Sequence, residues 1–213
     1  AFHPSDENII YVGAPSGGVW KTIDGGANWT NSTDQLPALG VSDLGIDPLN
    51  PSTLYMVTGD KDGGNTCPTY SYGILKSTDA GETWNATGLV HETSSTIRMR
   101  RLVVNPDNPQ ILITGGSSGL FRSEDGGDSW IQVGTANYFD LEIHPTNSNI
   151  LYAATNNKIF KSLDAGLTYT ELTNGFPDMV IGRIEMAITV ANPEVLYAIL
   201  SNSDSEFGAL IKS

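Results

Sequence analysis

Short apolar runs separated by turn-forming residues recur along the whole chain. In one stretch they predict four consecutive strands, at residues 101–104, 111–114, 119–122 and 129–133. Runs of this length, bounded by glycine, asparagine or proline, are typical of strands rather than of helix turns. No long segment combines helical periodicity with a capping residue. The pattern therefore predicts an all-β protein built from short antiparallel strands.

A nine-residue motif occurs four times and divides the chain into repeats. In order, its positions hold a basic residue, Ser or Thr, any residue, Asp, Gly or Ala, Gly, any two residues, and finally Trp or Tyr. The four copies begin at Lys21, Lys76, Arg122 and Lys161. The motif aspartates lie 55, 46 and 39 residues apart. Four short strands with their turns need about 40 residues, which is the size of one β-propeller blade. We expect a single propeller segment with repeats at about 1–40, 41–96, 97–137, 138–180 and 181–213.

The motif matches the Asp-box pattern Ser/Thr-x-Asp-x-Gly-x-x-Trp. The chain therefore resembles the bacterial neuraminidase-repeat and sortilin-like propeller superfamily over essentially its full length. The resemblance implies that each box is the turn between the third and fourth strands of a four-stranded antiparallel blade. The first repeat starts at the end of an inner strand, and the fifth stops one strand short. We expect the outer blades to be incomplete and the segment to belong to a larger ring in a longer polypeptide.

The residue types that the four boxes share favour a structural role. An aspartate can accept hydrogen bonds from backbone N–H groups of its own turn, and glycine adopts positive φ without steric cost. The aromatic residue is expected to pack against the neighbouring blade. Because four near-identical copies on four blades do not form one active site, we interpret the box residues as structural. They are Asp24, Gly26, Trp29, Asp79, Gly81, Trp84, Asp125, Gly127, Trp130, Asp164, Gly166 and Tyr169.

Composition excludes several classes of function. The formal net charge of −13 argues against binding to nucleic acid, whose phosphates require a basic surface, and against an anionic membrane surface. No apolar run approaches the length of a membrane span. A single cysteine, Cys67, excludes an internal disulfide; we interpret it as a loop thiol or as one whose partner lies outside this chain.

Within the superfamily, residues 11–21 resemble the first-blade stretch of the oligoxyloglucan-active endoglucanases, which contain two seven-bladed propellers. In that family an aspartate two residues before the paired glycines acts as general base. Pro15 holds this place here and has no ionisable group. A glycosidase needs two carboxylates beside the scissile bond, and the resemblance implies that the second comes from another propeller. The resemblance thus implies the fold and argues against catalysis by this segment alone.

Three adjacent arginines raise the question of a sialidase-like anion site. Strand alternation predicts Arg98 and Arg100 on one side and Arg101 on the other, and Arg183 in the fifth repeat could join them in the channel. Sialidases, which the boxes also resemble, take their arginines from separate blades. Contact with an anion or a sugar acid and plain charge pairing both remain open.

The second repeat carries an insertion at residues 59–72, where long loops on a rigid scaffold commonly hold binding sites. Asp60, Asp62 and Asn65 place oxygen ligands close together and are candidates for a weak Ca²⁺ site; a solvated acidic loop is the alternative. Tyr70 and Tyr72 are predicted to form an apolar platform for a sugar ring or a peptide.

Taken together, these features favour a non-catalytic binding or adhesion scaffold that is secreted or displayed on the cell surface. Its expected partners are a glycan or protein ligand and the remainder of the same polypeptide, without nucleic acid or membrane insertion. No cofactor is required, and Ca²⁺ is the one candidate. Two alternatives stay open: a segment of a xyloglucanase- or sialidase-like glycoside hydrolase with catalytic residues elsewhere, and a sortilin-like peptide-binding or assembly factor.

Overall fold

The computed structural model describes residues 1–60 and 69–213, which form five antiparallel sheets that follow one another in chain order. We call these sheets blades 1 to 5. In each of blades 2 to 5 the first strand lies at the inner edge, and the inner strands of successive blades lie side by side. The protein is therefore a partial β-propeller of five blades, as the repeats predict.

Within the described ranges, eighteen strands make up the five blades. Blade 1 contains β1 (Ile10–Ala14), β2 (Gly18–Thr22) and β3 (Thr30–Asn31). Blade 2 contains β4 (Val41–Ile46), β5 (Leu54–Thr58), β6 (Gly73–Ser77) and β7 (Asn85–Val90). Blade 3 contains β8 (Met99–Val104), β9 (Leu112–Gly116), β10 (Gly119–Ser123) and β11 (Ile131–Gly134). Blade 4 contains β12 (Tyr138–Ile143), β13 (Leu151–Thr155), β14 (Ile159–Ser162) and β15 (Thr170–Leu172). Blade 5 contains β16 (Ile181–Thr189), β17 (Asn192–Asn202) and β18 (Phe207–Lys212).

A short segment before β1 extends the inner edge of blade 1. Phe2 forms an isolated antiparallel bridge with Ile10, and the Tyr11 N–H donates to the Ala1 carbonyl at 2.9 Å. Blade 1 therefore carries the end of an inner strand at the place where the sequence predicts one.

The hydrophobic core lies between blades rather than within one layer. Four apolar clusters each join the faces of two successive blades; the first contains Tyr11 and Val19 of blade 1 with Leu54, Met56 and Trp84 of blade 2. The other three repeat this arrangement at the following junctions. Because each sheet buries one face against each neighbour, successive apolar residues of the middle strands β5, β9 and β13 are buried on both sides.

The inner strands begin with a bulge that the sequence pattern does not reveal. In β8 the register shifts between Met99 and Arg101, which leaves Arg100 as the additional residue. The inner strands β4, β12 and β16 shift register at corresponding places near their starts. The inner strand of blade 3 consequently begins two residues earlier than predicted. Among the described residues, no helix has the length and apolarity needed to cross a membrane.

Candidate functional site

Each box turn is closed by hydrogen bonds centred on its aspartate. In blade 3, Asp125 Oδ1 accepts from Ser123 Oγ at 2.8 Å and from the Ser129 N–H at 2.9 Å, while the Gly127 N–H donates to Ser123 Oγ at 2.9 Å. Blades 1, 2 and 4 form equivalent bonds. Hydrogen bonds donated by the residue four positions further on lower the pKa of Asp24, Asp79 and Asp125 to about 2. All of the carboxylates' described bonds are made within their own turns.

Two consecutive residues in every box have positive φ. The predicted glycines Gly26, Gly81, Gly127 and Gly166 have φ of 98°, 86°, 94° and 82°. The residue before each is also left-handed, and in two boxes it is an alanine, Ala80 at 59° and Ala165 at 55°. A left-handed alanine costs about 1 kcal/mol or more, so these two boxes hold a strained backbone.

The box aromatics differ in burial according to their surroundings. Trp84 is 8% exposed and packs between blades 1 and 2, whereas Trp29 is 39% exposed. Trp130 and Tyr169 pack at the next two junctions. These contacts support the proposal that the boxes join blades, and they assign the boxes no ligand.

The sequence-predicted tyrosines lie in a cleft of about 450 Å³ at the opposite end of the strands from the boxes. We call it the tyrosine cleft. The other lining residues are three apolar ones, three that bear hydroxyl groups, and a glycine: Pro37, Ala38 and Leu39; Ser16, Thr69 and Thr93; and Gly40. The cleft combines flat apolar surface with neutral hydrogen-bonding groups.

Ser71 fixes the two tyrosines by anchoring the segment between them. Ser71 is buried; its N–H donates to the Ile97 carbonyl at 2.8 Å, and its hydroxyl lies 3.3 Å from Thr58 Oγ1. The Tyr72 carbonyl accepts from the His91 N–H at 2.7 Å. These bonds hold the backbone at Ser71 and Tyr72, and a backbone held in place lowers the entropic cost of binding.

Gly40, one of the lining residues of the cleft, brings three chain segments together. A Cβ atom at this position would lie 2.7 Å from the carbonyl oxygens of both Pro15 and Gly59. The turn that carries Pro15 therefore borders the cleft, at the place where the resemblance implies a catalytic carboxylate. Among its described lining residues there is no carboxylate.

The predicted arginines do not form one cluster. Arg98 lies 5.5 Å from the ring centroid of Tyr70, next to the cleft, whereas Arg100 lies 4.2 Å from the ring of Phe139 in blade 4. Arg183 approaches the same Phe139 ring at 5.7 Å and forms an ion pair with Glu185. The expectation that Arg98 and Arg100 share a side is wrong, because the bulge at Arg100 breaks the alternation of β8. Arg100 and Arg183 are brought together through Phe139.

The inner strands also carry a cluster of charged side chains that the sequence pattern does not predict. Arg101 Nε lies 2.8 Å from buried Asp140 Oδ1, and its terminal nitrogens lie 3.5 Å from Glu142 Oε1 and 3.6 Å from Asp43 Oδ2. Burial raises the pKa of Glu142 to about 7, with Asp140 acting in the same direction and Arg101 against it. Asp43, Arg101 and Asp140 each follow the bulge of an inner strand and directly precede a leucine, a pattern that could have identified them.

The predicted Ca²⁺ site falls in the insertion at residues 59–72, of which residues 61–68 lie outside the described ranges. Asp62, Asn65 and Cys67 lie outside the described residues, and Asp60 is held by its N–H, which donates to the Thr69 carbonyl at 2.9 Å. The described ranges contain no group of three or more potential metal-binding side chains. The Ca²⁺ site stays a prediction.

The chain is similar in sequence to part of known xyloglucanases and similar in fold to solved GH74 structures. No family model matches the chain. A xyloglucanase from a Paenibacillus species is 32% identical over 149 residues, which covers 62% of this chain and 14% of the relative. The crystal structure of a GH74 xyloglucanase from Xanthomonas campestris superposes with a TM-score of 0.74 at 19% identity, covering 99% of this chain and 35% of that one.

A solved structure that does not carry the xyloglucanase name has a similar fold. The structure of YCF48 bound to D1 peptide superposes with a TM-score of 0.60 at 16% identity over 96% of this chain and 65% of that chain. Both structural comparisons show the fold alone. This chain spans about a seventh of the length of the curated Paenibacillus relative it matches.

Proposed function

We propose that the chain is a glycan-binding propeller segment, related to part of a xyloglucanase, that uses the tyrosine cleft to hold a xyloglucan-type β-glucan outside the cell. The observation that carries the proposal is the cleft itself, whose lining combines Tyr70 and Tyr72 with apolar residues such as Pro37 and with neutral hydroxyl-bearing residues. The sequence similarity to a xyloglucanase supports xyloglucan-type polysaccharides as the ligand class.

Sugar rings suit such a surface for two reasons. Aromatic faces cover the apolar C–H faces of a pyranose, and phenol and threonine hydroxyls pair with its equatorial hydroxyls. The neutral lining also agrees with a neutral ligand, because an acidic protein of net charge −13 repels anions over the rest of its surface.

Binding rather than hydrolysis is the role we assign to this segment. Hydrolysis requires one carboxylic acid and one base or nucleophile about 5 to 10 Å apart. The described lining of the cleft supplies neither, and Pro15 occupies the turn beside it. If the whole polypeptide is a glycoside hydrolase, its catalytic carboxylates come from parts outside this segment, and the cleft extends their substrate-binding surface.

The peptide-binding alternative rests on one observation. The propeller fold is shared with YCF48 bound to D1 peptide, but at a lower TM-score than with the xyloglucanases. We therefore rank peptide binding second.

Affinity electrophoresis in gels containing xyloglucan tests the proposal. The chain should be retarded by xyloglucan, and Tyr70→Ala should abolish about four-fifths of the retardation, because one stacking contact contributes on the order of 1 kcal/mol, or about fivefold in affinity. Phe207→Ala is the matched control, since Phe207 is an exposed aromatic on blade 5, away from the cleft. Unretarded wild-type protein, or equal retardation of Tyr70→Ala, would contradict the proposal.

A further inference from the structure

An asparagine that precedes a small residue is a chemically labile step of a polypeptide chain. The backbone nitrogen of the following residue attacks the side-chain carbonyl carbon when the side chain can turn toward it and the N–H is not bonded elsewhere. Glycine favours the attack most, because it has no Cβ to obstruct the approach. Four asparagines of the sequence precede glycine or serine: Asn31, Asn147, Asn174 and Asn202. Asn174 is the one that precedes glycine.

Three of these side chains are held by hydrogen bonds within their own turns. In each, the side-chain oxygen accepts from the backbone N–H two residues further on. The bonds join Asn31 Oδ1 to the Thr33 N–H at 2.7 Å, Asn147 Oδ1 to the Asn149 N–H at 3.2 Å, and Asn202 Oδ1 to the Asp204 N–H at 3.0 Å. Such a bond must break before the side chain can turn toward the attacking nitrogen, so it protects the asparagine.

Asn174 lies in the connection between β15 and β16 and makes no bond of this kind. Within the described residues, its side chain has no hydrogen-bond partner, and the Gly175 N–H donates to no acceptor. Both residues are exposed. A Cβ atom built on Gly175, whose φ is 86°, would meet no atom within 4 Å beyond its chain neighbours. The attacking nitrogen and its target carbon are therefore adjacent, unbonded and surrounded by open space.

The box turns show the opposite arrangement at Asp-Gly steps. Aspartate before glycine forms the same cyclic imide with loss of water, and the boxes of blades 1 and 3 each contain such a step. In both, the glycine N–H is engaged by another segment: the Gly25 N–H donates to the Asn8 carbonyl at 3.0 Å, and the Gly126 N–H to the Gln110 carbonyl at 2.9 Å. The remaining step, Asp62–Gly63, lies outside the described residues. The bonds that build the boxes thus also protect their aspartates.

We propose that Asn174–Gly175 is a self-modification site of the folded chain, at which Asn174 is converted to aspartate and isoaspartate. The Gly175 nitrogen gives its proton to water or hydroxide and bonds to Asn174 Cγ. The Cγ–Nδ2 bond breaks, and the side-chain nitrogen takes up a proton and leaves as ammonia. Water then opens the cyclic imide, at Cγ to give aspartate or at the main-chain carbonyl carbon to give isoaspartate. One water is consumed and one ammonia is released, without an oxidant or a reductant.

The isoaspartate product changes the connection into blade 5. In this product the main chain runs through the side-chain carbons, so it is longer by one methylene group at a point two residues before Phe176. Phe176 is half-buried and packs against the apolar cluster between blades 4 and 5. A displaced Phe176 loses part of this contact, and the isoaspartyl chain is therefore less stable.

Peptide mapping of the whole chain after incubation at mildly alkaline pH tests the proposal. One sample is incubated folded and another in concentrated guanidinium chloride, and tandem mass spectrometry then measures aspartate and isoaspartate at each site. At Asn174 the folded and unfolded rates should agree within about threefold. At Asn147 and Asp125 the folded rate should be at least about tenfold lower than the unfolded rate, because their bonds must open first.

Two variants connect the product to this step. Gly175→Ala should slow the conversion of Asn174 at least about tenfold in guanidinium chloride, where the backbone conformation of the folded chain plays no part. Asn174→Gln should give no product at this position under the same conditions. The rate at Asn174 should rise with pH, since hydroxide removes the proton of the attacking nitrogen.

The melting temperature tests the effect on Phe176. Anion exchange separates the modified chain, which carries one more negative charge than the unmodified one. Its isoaspartyl fraction should melt about 2 °C or more below the fresh chain. Asn174→Asp adds the charge without lengthening the main chain and should melt within about 1 °C of the fresh chain.

Protection of Asn174 by about tenfold or more in the folded chain would overturn the proposal. Reaction of Asn147 and Asp125 at their unfolded rates would do the same, because the hydrogen bonds would then not select the site. An isoaspartyl fraction that melts together with the fresh chain would contradict the effect on the junction of blades 4 and 5.

Discussion

Comparing two box tryptophans separates packing between blades from the local stability of the turn. Both Trp29 and Trp84 hold the last position of a box, but Trp84 is 8% exposed and Trp29 is 39% exposed. Trp84 contacts blade 1, whereas Trp29 Nε1 donates to the Gly26 carbonyl of its own turn at 3.0 Å. The alanine variants therefore remove the same side chain from two different environments.

The expected losses follow from the buried areas. A buried tryptophan removes about 200 Å² from water, which at about 25 cal/mol per Å² gives an upper estimate of about 5 kcal/mol. Truncating a buried tryptophan typically costs about 3 to 5 kcal/mol. We expect Trp84→Ala to lower the free energy of unfolding by about 4 kcal/mol, and Trp29→Ala by about 2 kcal/mol or less.

Urea unfolding followed by circular dichroism measures both losses, with calorimetry as a check. For a chain of this size, the difference of about 2 kcal/mol corresponds to about 4 to 8 °C in melting temperature. Equal losses for the two variants, or a larger loss for Trp29→Ala, would refute the conclusion that the box aromatics act by joining blades.

Three other expectations concern the box backbone, the inner strands and the cleft. Ala80→Gly should raise the free energy of unfolding by about 0.5 to 1 kcal/mol in urea titrations, because glycine relieves the positive φ of 59°; a loss of stability would contradict this strain. Ionisation of Glu142 opposes folding, since its pKa is raised to about 7, so its contribution is fully present below about pH 4.5 and is lost as the pH rises through 7. The melting temperature should therefore fall between about pH 4.5 and 7 and level off above that range, and Glu142→Gln should flatten the fall; an unaltered profile would exclude Glu142 as its source. Gly40→Ala should destabilise the protein by about 1 to 3 kcal/mol and weaken xyloglucan retardation, because the added methyl lies 2.7 Å from two carbonyl oxygens; an unchanged melting curve would show that the three segments can move apart.

The fold could be predicted because its signals are local. The hydrogen bonds of a box lie within seven residues of the chain, from Ser123 to Ser129 in blade 3, so four copies indicate four blades directly. Strand ends were less predictable, because the inner-strand bulges depend on the neighbouring blade. Asp43 Oδ2, for example, accepts from the Leu102 N–H at 2.9 Å across the junction between blades 2 and 3.

The candidate site could be predicted only in part for the same reason. Tyr70 and Tyr72 were identified because the insertion that carries them interrupts the repeat. The lining residues Pro37 to Gly40 belong to the connection between blades 1 and 2, and the packing of the two blades brings them to the same cleft as the tyrosines. The grouping of Arg100 with Arg183 through Phe139 likewise depends on two bulges in different blades.

An NMR titration of the chain with a xyloglucan oligosaccharide tests the glycan-binding cleft most directly. The amide signals of Tyr70, Tyr72 and Thr93 should shift with one common dissociation constant, while those of the box turns at Asp125 and Asp164 should not move. The Tyr70→Ala variant should require about fivefold more oligosaccharide for the same shifts, as expected for the loss of about 1 kcal/mol. Shifts confined to the boxes, or none at millimolar oligosaccharide, would contradict a glycan-binding role for the cleft.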